Sequence, residues 1–91
     1  MQLLTNKVAL ITGAARGIGE GIALKFAAHG AHIAFTYVSD SSAARAAELQ
    51  QKLEAMGVKA KAYQSNAGDP AACEKLVADV LATFGTIDVL V

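Results

Sequence analysis

The sequence predicts an α/β fold, the N-terminal part of a doubly wound parallel sheet that reads β-α-β-α-β-α-β with strand order 3-2-1-4. Three observations carry this expectation. Val8-Ala9-Leu10-Ile11 is an uninterrupted apolar run, the mark of a strand buried on both faces. Glycines at 13, 17 and 19 follow at once and give way to Ile18, Ile22 and Phe26 at helical spacing, so a strand passes through a glycine-rich turn into a helix. Beyond Gly30 strand-like and helix-like stretches keep alternating, which implies parallel pairing with right-handed crossovers.

Each element has a local reason. Lys7–Thr12 is the first strand, and the first helix runs from about Arg16 to His29, with Ile18, Ile22 and Phe26 as its expected buried stripe and Gly30 as its stop. His32–Tyr37 is the second strand, followed by the turn cluster Ser39-Asp40-Ser41-Ser42 with several possible N-caps. A second helix over about Ser42–Met56 offers Ala44, Ala47, Leu49, Leu53 and Met56 to the core, and Gly57 ends it. Val58–Gln64 alternates, with Lys59, Lys61 and Tyr63 on one side and Val58, Ala60 and Ala62 on the other, as a half-solvated edge strand would. Asp69-Pro70 is an N-cap acid followed by proline at the first helical position. Leu76, Val77, Val80, Leu81 and Phe84 form the expected buried face of that third helix, Gly85 closes it, and Ile87–Val91 is the fourth strand. In this order the first two helices cover one face and the third covers the other, and the glycine turn opens into the crevice between strands 1 and 4.

Composition bounds the possibilities. At 91 residues the chain is at most one small domain, and 54% of it is apolar, although twenty of the residues are alanine. Eight basic residues balance eight acidic ones, so no basic excess points to nucleic acid. No apolar run approaches the ~20 residues of a membrane span. Cys73 is the only cysteine, which excludes an intrachain disulfide and fits a reducing cytoplasm. His29 and His32 straddle a helix stop and lack a third ligand, so a metal site is not expected. Asp88, in an apolar strand, needs a partner or solvent.

The glycine turn carries the chemistry. The first N–H groups of a helix have no intrahelical partner and sit at the positive end of the helix dipole, so they attract phosphate. Gly13 suits the sharp exit from the strand, and Gly17 and Gly19 let a pyrophosphate and the neighbouring strand approach bare main chain. The spacing is G-x-x-x-G-x-G. A P-loop would need glycine at 18 and lysine at 19, where the chain has Ile18 and Gly19.

Thr12-Gly13-Ala14-Ala15-Arg16-Gly17-Ile18-Gly19, with Asn66-Ala67-Gly68-Asp69-Pro70 and Asp88-Val89-Leu90-Val91, resembles the short-chain dehydrogenase/reductase family and its T-G-x-x-x-G-x-G turn. The match runs from about Leu4 to Val91 and is nearest to bacterial 3-oxoacyl-[acyl-carrier-protein] reductases. It implies a Rossmann fold in which Gly13, Ala15, Arg16, Gly17, Ile18 and Gly19 face a nicotinamide dinucleotide. It also implies a parent enzyme that reduces a carbonyl, with catalytic Asn, Ser, Tyr and Lys lying beyond residue 91. Residues 1–91 are then expected to be the cofactor-binding half alone, inactive by themselves. The parent is expected to be a cytoplasmic homo-oligomer that takes acyl carrier protein as partner and engages neither nucleic acid nor membrane.

Cofactor choice turns on charge. NAD readers place Asp or Glu at the end of strand 2, where it bonds the ribose 2′-OH, and that position here is Tyr37. Arg16 is a cation for a 2′-phosphate, and Ser39 and Ser41 add hydroxyls. NADP(H) is therefore expected over NAD(H), with Asp40 as the acid that could turn back toward the ribose. Asn66 stands where many relatives have aspartate; its amide could pair with the adenine edge, and Ala67 would offer main chain to the same base. The plain alternative for Asn66 is a turn residue bonding its own backbone. Two other functions share these features: a short-chain dehydrogenase for a different alcohol or sugar, and a non-catalytic dinucleotide sensor. A downstream Ser…Tyr-x-x-x-Lys would separate enzyme from sensor.

Overall fold

The computed structural model describes residues 4–13, 17–66 and 68–91. Four parallel strands lie in the order β3-β2-β1-β4: β1 (Val8–Ile11), β2 (His32–Tyr37), β3 (Ala60–Gln64) and β4 (Val89–Leu90). They alternate with α1 (Gly17–Ala28), α2 (Ala43–Ala55) and α3 (Pro70–Phe84), and one 3₁₀ turn, Asp40–Ser42, leads into α2. The register pairs Val8 with His32, Ile33 with Ala60 and Ala9 with Val89. The expected order and crossovers are those observed.

All four residues of β1 are buried, as a central strand covered on both faces requires. Ala9 and Ile11 join Ile33 and Phe35 in a large core beneath α1 and α2, whereas Leu10 and Ala34 join Leu76 and Val80 in a smaller one beneath α3. The first two helices thus lie on one face and the third on the other. β3 is the edge strand the alternation predicts, and Gln50 of α2 covers part of that edge by accepting the Ala62 N–H through Oε1 at 2.9 Å.

The helix ends follow the sequence signals. The Asp69 side chain accepts from the Ala71 and Ala72 N–H groups, with Pro70 in the first turn. Gly30 closes α1 through Gly30 N–H to Ala27 O at 2.9 Å and Ala31 N–H to Phe26 O at 3.1 Å, a Schellman pair.

The buried faces of the helices differ from the expectation. In α1 the fully buried residues are Ala23 and Ala27; Ile22 and Phe26 are only partly covered, and Ile18 is 85% exposed. Small side chains let α1 approach the sheet, and the larger ones flank that contact. Ile18, in the first turn, is open to solvent. In α2 the core takes Ala46, Leu49 and Leu53, and leaves Ala44, Ala47 and Met56 exposed. In α3 it takes Leu76 and Val80, while Val77 and Leu81 face outward. Only one stripe of the apolar face of this fifteen-residue helix is buried, with Val77 42% and Leu81 45% exposed. β4 is assigned only to Val89–Leu90, yet its hydrogen bonds to β1 reach from Asp88 to Val91.

Candidate functional site

In a parallel sheet every strand ends on the same rim, and here that rim also receives the N-terminus of α1. Gly13 leaves β1 with φ +67°, and its N–H donates to the Thr36 hydroxyl at 3.0 Å. Thr36 is the one polar residue in the buried core of the described residues. On the other side the Thr12 N–H and hydroxyl both donate to the Val91 carbonyl, at 3.2 and 3.1 Å. The stem of the glycine turn is therefore tied to β2 and to β4.

Gly17 has φ +66°, and a Cβ built on Gly13 or Gly17 would meet nothing within 4 Å. At these two glycines the main chain is uncovered by the described residues, as a phosphate site needs. The first-turn N–H groups, including those of Ile18 and Gly19, have no intrahelical acceptor. Ala15, Arg16 and Ala67 lie outside the described residues.

Tyr37 closes β2, half-buried against the α1–α2 core, and its carbonyl accepts the Ser65 N–H at 2.9 Å. The Ser39 hydroxyl bonds those of Ser41 and Ser42 at 2.9 and 3.1 Å. Asp40 is held elsewhere: its carboxylate accepts from Gln64 Nε2 at 2.7 Å, and the same nitrogen donates to the Val38 carbonyl at 3.0 Å. No acid stands at the end of β2 itself.

At the end of β3, Asn66 Oδ1 accepts the Gly68 N–H at 2.9 Å, an Asx turn. The plain alternative for Asn66 is thus present, and the donors it retains for a base are on Nδ2. Gly13, Gly17, Ile18, Gly19, Tyr37, Ser39 and Asn66 all stand on the one rim. Sequence reasoning missed Thr36, Thr12 and Gln64 as the residues that brace it. The one aliphatic hydroxyl inside HIAFTY was the available signal for Thr36.

Asp88 lies on the opposite rim. It accepts the Val8 N–H through Oδ2 at 2.9 Å, and its own N–H donates to the Val8 carbonyl at 2.8 Å. Its role is to pair the starts of β1 and β4. The described residues contain no cluster of potential metal ligands and no helix long and apolar enough to cross a membrane.

The family model for short chain dehydrogenases matches residues 7–91. The chain is 37% identical over 91 residues to L-rhamnose 1-dehydrogenase (NAD(P)(+)) of Sphingomonas sp. strain SKA58, covering 100% of this chain and 35% of that protein. It is 38% identical over 86 residues to a 3-oxoacyl-[acyl-carrier-protein] reductase of Staphylococcus epidermidis RP62A, covering 94% and 34%. A blue fluorescent protein from a metagenomic library, solved in complex with NADPH, superposes with TM-score 0.95 and 48% identity, over 98% of this chain and 36% of that one. The chain belongs to the short chain dehydrogenase family. It spans about a third of the length of the curated relatives it matches.

Proposed function

We propose that residues 1–91 are the NADP(H)-binding half of an oxidoreductase that reduces a carbonyl, with a 3-oxoacyl thioester on acyl carrier protein as substrate. The observation that carries the reading is the open main chain at Gly13 and Gly17 over the tip of α1. Among the described residues nothing stands within 4 Å of a Cβ placed at either glycine, which leaves their main chain free for a pyrophosphate. The residues of this rim would hold and orient the adenine, ribose and phosphates, and a bound nicotinamide would supply the hydride. Tyr37 presents no charge to a 2′-phosphate, and Gln64 holds the Asp40 carboxylate. The NADPH complex of a 48% identical structure supports the same cofactor.

Catalytic Ser, Tyr and Lys and the oligomer contacts then belong to the remainder of the protein. The likeness to a rhamnose dehydrogenase supports a second substrate class, a sugar. In the full-length protein NADPH is expected to bind at least about tenfold tighter than NADH, a gap of roughly 1.4 kcal/mol. Equal or tighter NADH binding overturns the cofactor assignment. Turnover of NADPH with an acetoacetyl thioester supports the acyl substrate, turnover with a sugar alone supports the second class, and dinucleotide binding without either supports a sensor.

A further inference from the structure

The end of β3 reaches across to the segment that follows β2. Gln64 is the register partner of Tyr37, the last residue of β2. Its carboxamide nitrogen has two hydrogens for two acceptors: Nε2 donates to Asp40 Oδ1 at 2.7 Å and to the Val38 carbonyl at 3.0 Å. A carboxylate and a carbonyl can only accept, so these bonds also fix which way the amide faces. One side chain of β3 thus holds the main chain at Val38 and the charge at Asp40. Asp40 is the one acid between the end of β2 and the start of α2. It lies three residues past Tyr37, so about 10 Å of extended chain at most separates it from the position where an acid bonds a ribose 2′-OH. Topology gives the bond a direction. In the order β3-β2-β1-β4 the glycine turn leaves β1, and β3 lies on the far side of β2 from it. Gln64 therefore keeps the carboxylate on the β3 side.

We propose that Gln64 is a positioning residue for cofactor choice: by holding the Asp40 carboxylate against the end of β3, it keeps that charge off the ribose 2′ position and favours a dinucleotide that carries a 2′-phosphate there. The inference rests on the NADP(H) reading above. A released carboxylate repels the 2′-phosphate of NADPH and can accept the 2′-hydroxyl of NADH, so the two affinities move in opposite directions. Loosening of the sheet edge alone would weaken both alike. The test is to measure Kd for NADPH and for NADH in the full-length protein carrying Gln64→Met, Asp40→Asn or both. Methionine keeps the length of the side chain and removes both donors. Gln64→Met is expected to lower the preference for NADPH about threefold to tenfold. In the Asp40→Asn background the same change is expected to leave the preference where it was, because no charge remains to be released. A preference unchanged by Gln64→Met, or lowered equally in both backgrounds, overturns the inference and leaves the cofactor reading standing. An unaltered protein that binds NADH as tightly as NADPH overturns the cofactor reading, and the inference with it. Gln64 is exposed at the end of an edge strand, so the variant is expected to fold, and Gln64→Leu, read in the same way, is the second variant.

Discussion

Gly17 is the residue at which conformation and the proposed recognition of phosphate meet. Its φ of +66° lies in the left-handed region, where a β-branched side chain is strained by about 1–3 kcal/mol. Gly17→Val is therefore expected to raise the Kd for NADPH at least about tenfold in the full-length protein, with a modest fall in Tm. Calorimetric titration beside a melting curve checks both, and an unchanged Kd removes the turn from the phosphate site. The glycine spacing was legible because it is local and its chemistry is backbone chemistry. The braces were not: Thr36 meets Gly13 across 23 positions, and Gln64 meets Asp40 across 24. No pattern within one segment announces such pairs. Asn66 was legible only as two alternatives, since the same carboxamide suits a base edge or an Asx turn.

At the scale of the element, the ends of the helices were readable and their faces only in part. Asp69, Pro70 and Gly85 mark α3 through sterics and capping, which act within a few residues. Asp69→Ala is expected to cost about 0.5–2 kcal/mol, measured by denaturant unfolding, because the Ala71 and Ala72 N–H groups lose their acceptor. The buried faces of α2 and α3 were read in part, through Leu49, Leu53, Leu76 and Val80, whereas that of α1 was misjudged because bulk is a poor guide where alanine does the packing. Ala23 and Ala27, fully or almost fully buried, bring α1 close to the sheet. Ala23→Leu is accordingly expected to destabilise by about 1–3 kcal/mol through overpacking, although it adds apolar surface and remains a strong helix former. A neutral or stabilising result would show that α1 can lift off the sheet at little cost.

Across the whole molecule the two faces are unequal. Two helices seal one, whereas α3 alone covers the other and leaves Val77 42%, Leu81 45% and Leu90 71% exposed. A polypeptide limited to residues 1–91 is therefore expected to self-associate as concentration rises. Sedimentation velocity measures this, and the double variant Val77→Lys, Leu81→Glu should shift the distribution toward monomer. Strand order was legible at this scale because alternation and handed crossovers leave few topologies open. The substrate was not, since the chain spans about a third of its curated relatives.

The double grip of Thr12 on the Val91 carbonyl joins the stem of the glycine turn to the last strand. Whatever loosens β4 removes two restraints from the stem of that turn, and whatever fills the turn holds β4 in place. The two events are thermodynamically linked and must be reciprocal. Saturating dinucleotide should slow amide exchange at Val91 by the same factor by which fraying of that strand weakens the dinucleotide.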